Sequence, residues 1–278
     1  MFGEIKNQHG ERLDYSVQAG EARSDFIVII GHGVTGNKDR PFVVALADGL
    51  AAAGIPTLCM SFTGNGDSGG RFVDCTISKE TDDLGSVIDA VGDRKICYIG
   101  HSMGGLVSRS ALHQGRLRGD AWTDKVTHLA CLGSPHQGAL LERGANQANR
   151  LLGTTPYSRP LMRLANLRSD GIRDLRFGYV LEDQWRDRPL DDPRPTRKVP
   201  LDPQVQQLFI AGSVSEPNHA QPRGDWLVTT DSALAEHLYP QADHLTRELF
   251  YQMGHMTMIE ETRTYARVQR WLDESAAT

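Results

Sequence analysis

The chain has 278 residues, 39% of them apolar and 23% charged, which is ordinary for a globular protein and enough for one large hydrophobic core. Its net charge of -5 argues against nucleic acid as the main partner, because phosphate binding needs a clustered basic surface. The polar opening, Met1 to Gly10, lacks the apolar core of a secretory signal, and no run of about 18 apolar residues follows, so we expect a cytoplasmic protein with no transmembrane segment.

Taken in order, Glu4 to Asn7 and Arg12 to Val17 flank Gln8-His9-Gly10 and predict a hairpin at an edge. Phe26 to Ile30 is a continuous β-branched run, suited to a strand buried on both faces, and it leads into a glycine-rich loop, Gly31 to Gly36. A helix is predicted from Pro41 to Ala53, stopped by Gly54, and a second strand from Ile55 to Phe62.

Thr63 to Gly70 contains the spacing G-x-G-x-x-G at Gly64, Gly66 and Gly69. A dinucleotide loop must itself open a helix, whereas the next helical pattern starts only near Ser78 and runs to Val91. No such cofactor loop is expected.

Lys95 to Gly100 then reads as a buried strand running into Gly100-His101-Ser102-Met103-Gly104 and a helix to about His113. The strand–helix–strand alternation predicts an α/β fold with a mostly parallel central sheet and helices on both faces. Val126 to Leu132 is the next strand, and its end, Gly133 to Gly138, falls on the same carboxyl edge of the sheet as Ser102.

Residues 139–203 break this rhythm with frequent Pro and Arg, and we read them as an inserted cap or lid segment within one domain spanning 1–278. Parallel strands resume with Gln207 to Gly212. The segment Arg223 to Thr229 follows, then Leu249 to His255, then an amphipathic helix from Glu261 to Leu272.

Of the four cysteines, Cys59, Cys97 and Cys131 lie in apolar strand-like runs and Cys75 in a polar loop. No C-x-x-C spacing occurs, so neither a disulfide framework nor a metal site is expected, and a reducing compartment fits.

The G-x-S-x-G corner puts Ser102 at a helix N-terminus, where free backbone N–H groups favour a developing negative charge. A serine hydroxyl is a poor nucleophile at neutral pH, so it needs an adjacent base and a third group to orient that base. Asp225 and then His255 supply acid and base in the order Ser, acid, His, with Asp231 and Glu216 as competing acids. The backbone N–H groups of Val34 and Met103 are the expected oxyanion donors. His32, Gly33, His101 and His136 are candidates for lining the substrate site, and His136 is the lesser alternative base.

On these motifs the chain resembles the α/β-hydrolase superfamily over nearly its whole length. Gly31 to Lys38, Ser61 to Ser68 and Gly100 to Gly104 are similar to esterases of the feruloyl-esterase and dienelactone-hydrolase-like type. From Leu132 to Gly138 onward the chain looks more like triacylglycerol-lipase and inositol-deacylase-like members.

The resemblance implies the α/β-hydrolase fold and a carboxyl-ester hydrolase with no metal or organic cofactor, acting on a small-molecule or lipid ester. Serine at 102 departs from dienelactone hydrolases proper, which use cysteine, and from the dehalogenase and epoxide-hydrolase branches, which use aspartate. Trp226 stands where family members often have glycine after the acid. Acyl transfer, or thioester or amide cleavage, would use the same three residues, and a non-catalytic ligand-binding member would keep the fold alone.

Overall fold

The computed structural model describes residues 2–20, 25–138, 178, 180–181, 184, 198–217 and 222–276. The insertion expected over 139–203 falls outside these, apart from 178, 180–181, 184 and 198–203.

The β-branched runs become strands of one sheet. A two-stranded ribbon, β1 (Ile5–Lys6) with β2 (Arg12–Leu13), precedes β3 (Tyr15–Gln18), β4 (Phe26–Gly31) and β5 (Thr57–Met60). The remaining strands are β6 (Lys95–His101), β7 (Val126–Leu132), β8 (Gln206–Ser213) and β9 (Leu245–Tyr251). The seven-stranded sheet runs β3-β5-β4-β6-β7-β8-β9; only β3, at one edge, is antiparallel to its neighbour. The expected opening hairpin is thus split, its second arm leaving the ribbon to pair with β5.

Alternate side chains of each strand enter different cores. Ile27 and Ile29 pack with Leu84 and Leu106, whereas Val28 and Ile30 pack with Leu46 and Trp271. The first face is covered by α2 (Ile77–Ala90) and α3 (Met103–Arg118), the second by α1 (Pro41–Ala52) and α5 (Thr262–Ala276). A short α4 (Thr230–Leu234) sits between β8 and β9. Burying one such aliphatic side chain is worth about 1.5–3 kcal/mol, so these two layers hold the central strand β6 firmly in place.

Pro41 opens α1, as its spacing predicts, and Thr76 caps α2 by accepting from the Lys79 N–H. The glycine-rich stretch 63–70 does not open a helix. It is fastened as a loop, with Thr63 N–H donating to Asp83 Oδ2 at 2.7 Å and Asn7 Nδ2 bridging Asp83 Oδ1 and Thr63 Oγ1 at 2.8 and 3.0 Å.

Several helix and strand bounds differ from the periodicity: β5 is shorter than Ile55–Phe62 and α5 runs past Leu272, and two further shifts have a visible cause. α3 continues to Arg118 rather than His113, because its polar last turns are held from outside: Arg116 pairs with Asp202 at 2.7 Å, and Gly119, at φ 73°, ends the helix. β9 starts at Leu245 rather than Leu249; on a half-buried edge, charged residues such as Glu248, paired with Arg267, replace an apolar run.

Candidate active site

The corner at Ser102 is built by two glycines. A Cβ on Gly100 would lie 2.4 Å from the backbone carbon of Gly104, and one on Gly104 would lie 2.7 Å from the carbonyl oxygen of His32. The end of β6, the start of α3 and the loop after β4 therefore touch backbone to backbone.

Ser102 is left at φ 55°, ψ -122°, an unfavourable conformation for a residue with a Cβ that costs on the order of 1–3 kcal/mol. Its N–H donates to the Leu132 carbonyl at 2.9 Å, which pins the corner to the end of β7.

Asp225 and His255 come from the loops after β8 and β9, at the same carboxyl edge. Asp225 Oδ1 accepts from the N–H groups of Leu227 and Val228 at 3.0 and 2.8 Å, and Oδ2 accepts from His255 Nδ1 at 2.7 Å. The His255 N–H also donates to the Asp225 carbonyl, at 3.0 Å. Both side chains are buried, so this charge-assisted bond is shielded from water. With a carboxylate at Oδ2 the imidazole must carry its proton on Nδ1, and Nε2 keeps a lone pair.

The two competing acids are elsewhere. Glu216 is exposed and accepts from Gln252 Nε2 at 3.0 and 2.9 Å, and Asp231 is exposed in the first turn of α4. Gly133 closes over the pair: a Cβ there would lie 3.2 Å from both Asp225 Oδ2 and the His255 ring. Trp226, directly after Asp225, is accommodated at φ 84° and is 64% exposed, so it does not crowd the turn.

On the other side of Ser102 lies the loop after β4. Gly33 abuts the Ser102 corner, since a Cβ on it would sit 2.9 Å from Ser102 Cβ. Val34 follows, and among the described residues its N–H donates to no backbone carbonyl; Met103 is the first residue of α3, whose N–H has no partner within the helix. The two expected oxyanion donors thus lie on the two segments that flank Ser102.

The three histidines expected to line the site, His32, His101 and His136, are buried. His32 donates from Nδ1 to the Gly33 carbonyl at 2.7 Å and accepts the Phe62 N–H on Nε2 at 3.1 Å, and burial pushes its pKa down to about 4. It shapes the loop from beneath. His101 donates from Nε2 to the backbone carbonyl of His255 at 3.1 Å. Burial, and then the neighbouring His255, hold its pKa well below the usual imidazole range.

His136 stacks on Phe209 with ring centroids 4.2 Å apart and takes Arg109 on Nδ1 at 2.9 Å. His136 is thus not brought to Asp225. His128 packs edge-on to Phe26 and Trp271 and bonds Ser275, as a strand residue facing the core would.

Sequence reasoning missed Arg109, which is buried in α3 and joins His136, Tyr239 and the Val199 carbonyl. It also missed the bond from His101 to His255, across 154 residues of chain. The only local signal for the latter is the position of His101 immediately before the serine. Among the described residues no cluster of three or more His, Cys, Asp or Glu is arranged to hold a metal ion.

Residues 27–262 match the family described as alpha/beta hydrolase fold. No curated protein matches the sequence. Among solved structures the chain is similar to Est1E from Butyrivibrio proteoclasticus with ferulic acid bound, at 19% identity over 99% of each chain and a TM-score of 0.60. It is also similar to alpha/beta hydrolase domain-containing protein 10 from mouse, at 16% identity, 99% and 98% coverage and a TM-score of 0.63. The Pyrococcus furiosus esterase Pf2001 is similar at 18% identity, with 98% of this chain and 88% of that one covered and a TM-score of 0.64.

Proposed function

Because this chain belongs to the alpha/beta hydrolase family, we propose that it is a serine carboxyl-ester hydrolase acting through an acyl-enzyme on small-molecule or lipid esters. The observation that carries this reading is the buried Asp225–His255 bond at 2.7 Å on the sheet edge that also carries the strained Ser102.

In this mechanism Ser102 Oγ attacks the ester carbonyl while His255 Nε2 takes the hydroxyl proton, and Asp225 stabilises the imidazolium. The carbonyl oxygen becomes an oxyanion held by the N–H groups of Val34 and Met103. Collapse of that intermediate breaks the bond to the alcohol, which leaves with the proton from His255. Water then attacks the acyl-serine, giving its proton to His255, and release of the acid returns the proton to Ser102. Loss of one oxyanion donor typically costs about 10² to 10³ in turnover.

No helix among the described residues is long and apolar enough to cross a membrane, which is compatible with work on dissolved esters in the cytoplasm. The test is hydrolysis of p-nitrophenyl esters from acetate to palmitate by wild type and Ser102→Ala. Methyl ferulate joins the panel because Est1E holds ferulic acid. Turnover lost in the mutant is the expected result, with the chain-length optimum separating esterase from lipase. An active Ser102→Ala, or a wild type that hydrolyses no ester and takes no fluorophosphonate label, would overturn the reading.

A further inference from the structure

We infer that His101 is a positioning residue that hangs the loop of the base from the nucleophile corner, through its Nε2–H bond to the backbone carbonyl of His255. The inference rests on the reading of Ser102 and His255 as nucleophile and base, and it adds to that reading a device that holds the two in register.

The His255 peptide is held at three points. Its ring bonds the Asp225 carboxylate at 2.7 Å, its N–H bonds the Asp225 carbonyl at 3.0 Å, and its own carbonyl accepts from His101 at 3.1 Å. The first two fasten the base to the acid loop. The third fastens it to the last residue of β6, whose next residue is Ser102.

The ring centroids of His101 and His255 lie 4.6 Å apart at 45°, and that of Phe42 in α1 lies 5.8 Å from His101. His101 is buried, so its orientation is set by packing and its donor has a fixed target. A buried carbonyl stripped of that donor is left unsatisfied, and the loop can recover a partner only by moving. Reacting groups displaced by about 1 Å typically lose about 100-fold in rate. Charge matters as well: a neutral His101 ring adds no positive charge beside the imidazolium that His255 must become, and burial keeps it neutral.

The test compares His101→Gln, which keeps an N–H donor, with His101→Phe and His101→Met, which keep bulk and lose the donor. The two donorless variants guard against one of them failing to fold. We expect kcat on a p-nitrophenyl ester to fall about 10- to 100-fold in both, with KM within about twofold. His101→Gln should return most of the rate. A residue that merely filled space would give similar rates in all three variants, because Phe and Met match its volume as well as Gln does.

The downfield proton resonance of the His255 Nδ1–H shared with Asp225 is read in parallel, and needs no substrate. It should be wild-type-like in His101→Gln and shifted or broadened in the donorless variants. If wild type turns over no ester and takes no fluorophosphonate label, the function proposed above falls, yet this resonance still decides the role of His101. Equal kcat and an unchanged resonance in the donorless variants would overturn the inference, as would Gln being impaired as much as Phe and Met.

Discussion

Replacing Asp225 by asparagine changes one atom and should reverse the imidazole. In the native turn both carboxylate oxygens accept: Oδ1 takes two backbone N–H groups, from Leu227 and Val228, and Oδ2 takes the Nδ1–H of His255. An asparagine has one acceptor oxygen and one NH2 donor. Placing the NH2 at Oδ1 would set it against two backbone donors and break two buried bonds; placing it at Oδ2 breaks only one, so the second arrangement wins. The amide then donates toward Nδ1, which must give up its proton, and the ring proton moves to Nε2. A protonated Nε2 cannot accept from Ser102.

The expected loss is about 10⁴ in kcat, equivalent to about 5.4 kcal/mol of barrier, with KM nearly unchanged. Exchanging charge-assisted bonds for neutral ones should cost only about 2 kcal/mol of stability. Steady-state hydrolysis of p-nitrophenyl acetate, with a urea unfolding curve for the same sample, separates the two effects. An Asp225→Asn enzyme that keeps more than about a tenth of wild-type kcat would refute the tautomer argument and the assignment of Asp225 as the orienting acid.

Three other outcomes are expected. His32 is depressed to about 4 by burial, so its neutral form stabilises the fold fully above pH 6.5, and that stability drains away as the pH falls from 6.5 through about 4. Between pH 7.5 and 4.5 this amounts to about 2–3 kcal/mol, so urea unfolding of His32→Gln should decline by about that much less than wild type over the same interval; equal declines would refute it.

Trp226 is 64% exposed at φ 84°, where glycine is favoured, so Trp226→Gly should stay within about 1 kcal/mol of wild type. The buried Trp271 should lose about 3–5 kcal/mol as Trp271→Ala, and similar unfolding midpoints for the two variants would contradict this. All four cysteines are free and buried, with Cys59, Cys75 and Cys131 thiols pushed up to about 12 and Cys97 further. An aromatic disulfide reagent should leave all four untouched in the native protein and modify them in denaturant; rapid native labelling would contradict their burial.

Much of this protein is written locally. The order of strands and helices follows from β-branched runs, and from signals that act over a few residues, such as Pro41 opening α1 and Thr76 capping α2. The corner at Ser102 is legible for the same reason: its backbone conformation and the close approach of Gly100 to Gly104 involve neighbours within four residues, although Gly104 also meets the distant His32 carbonyl.

Other features are decided only when distant segments meet. Three acids were open as partners of His255, and Asp225 is singled out because its turn at the end of β8 faces the loop after β9 across adjacent parallel strands. Likewise, His32 and His136 read as residues to line a pocket, yet burial and packing on Phe62 and Phe209 set their surroundings. Spacing along a chain specifies backbone geometry over short range, whereas a buried hydrogen bond between side chains depends on sheet order and depth, which no single segment encodes.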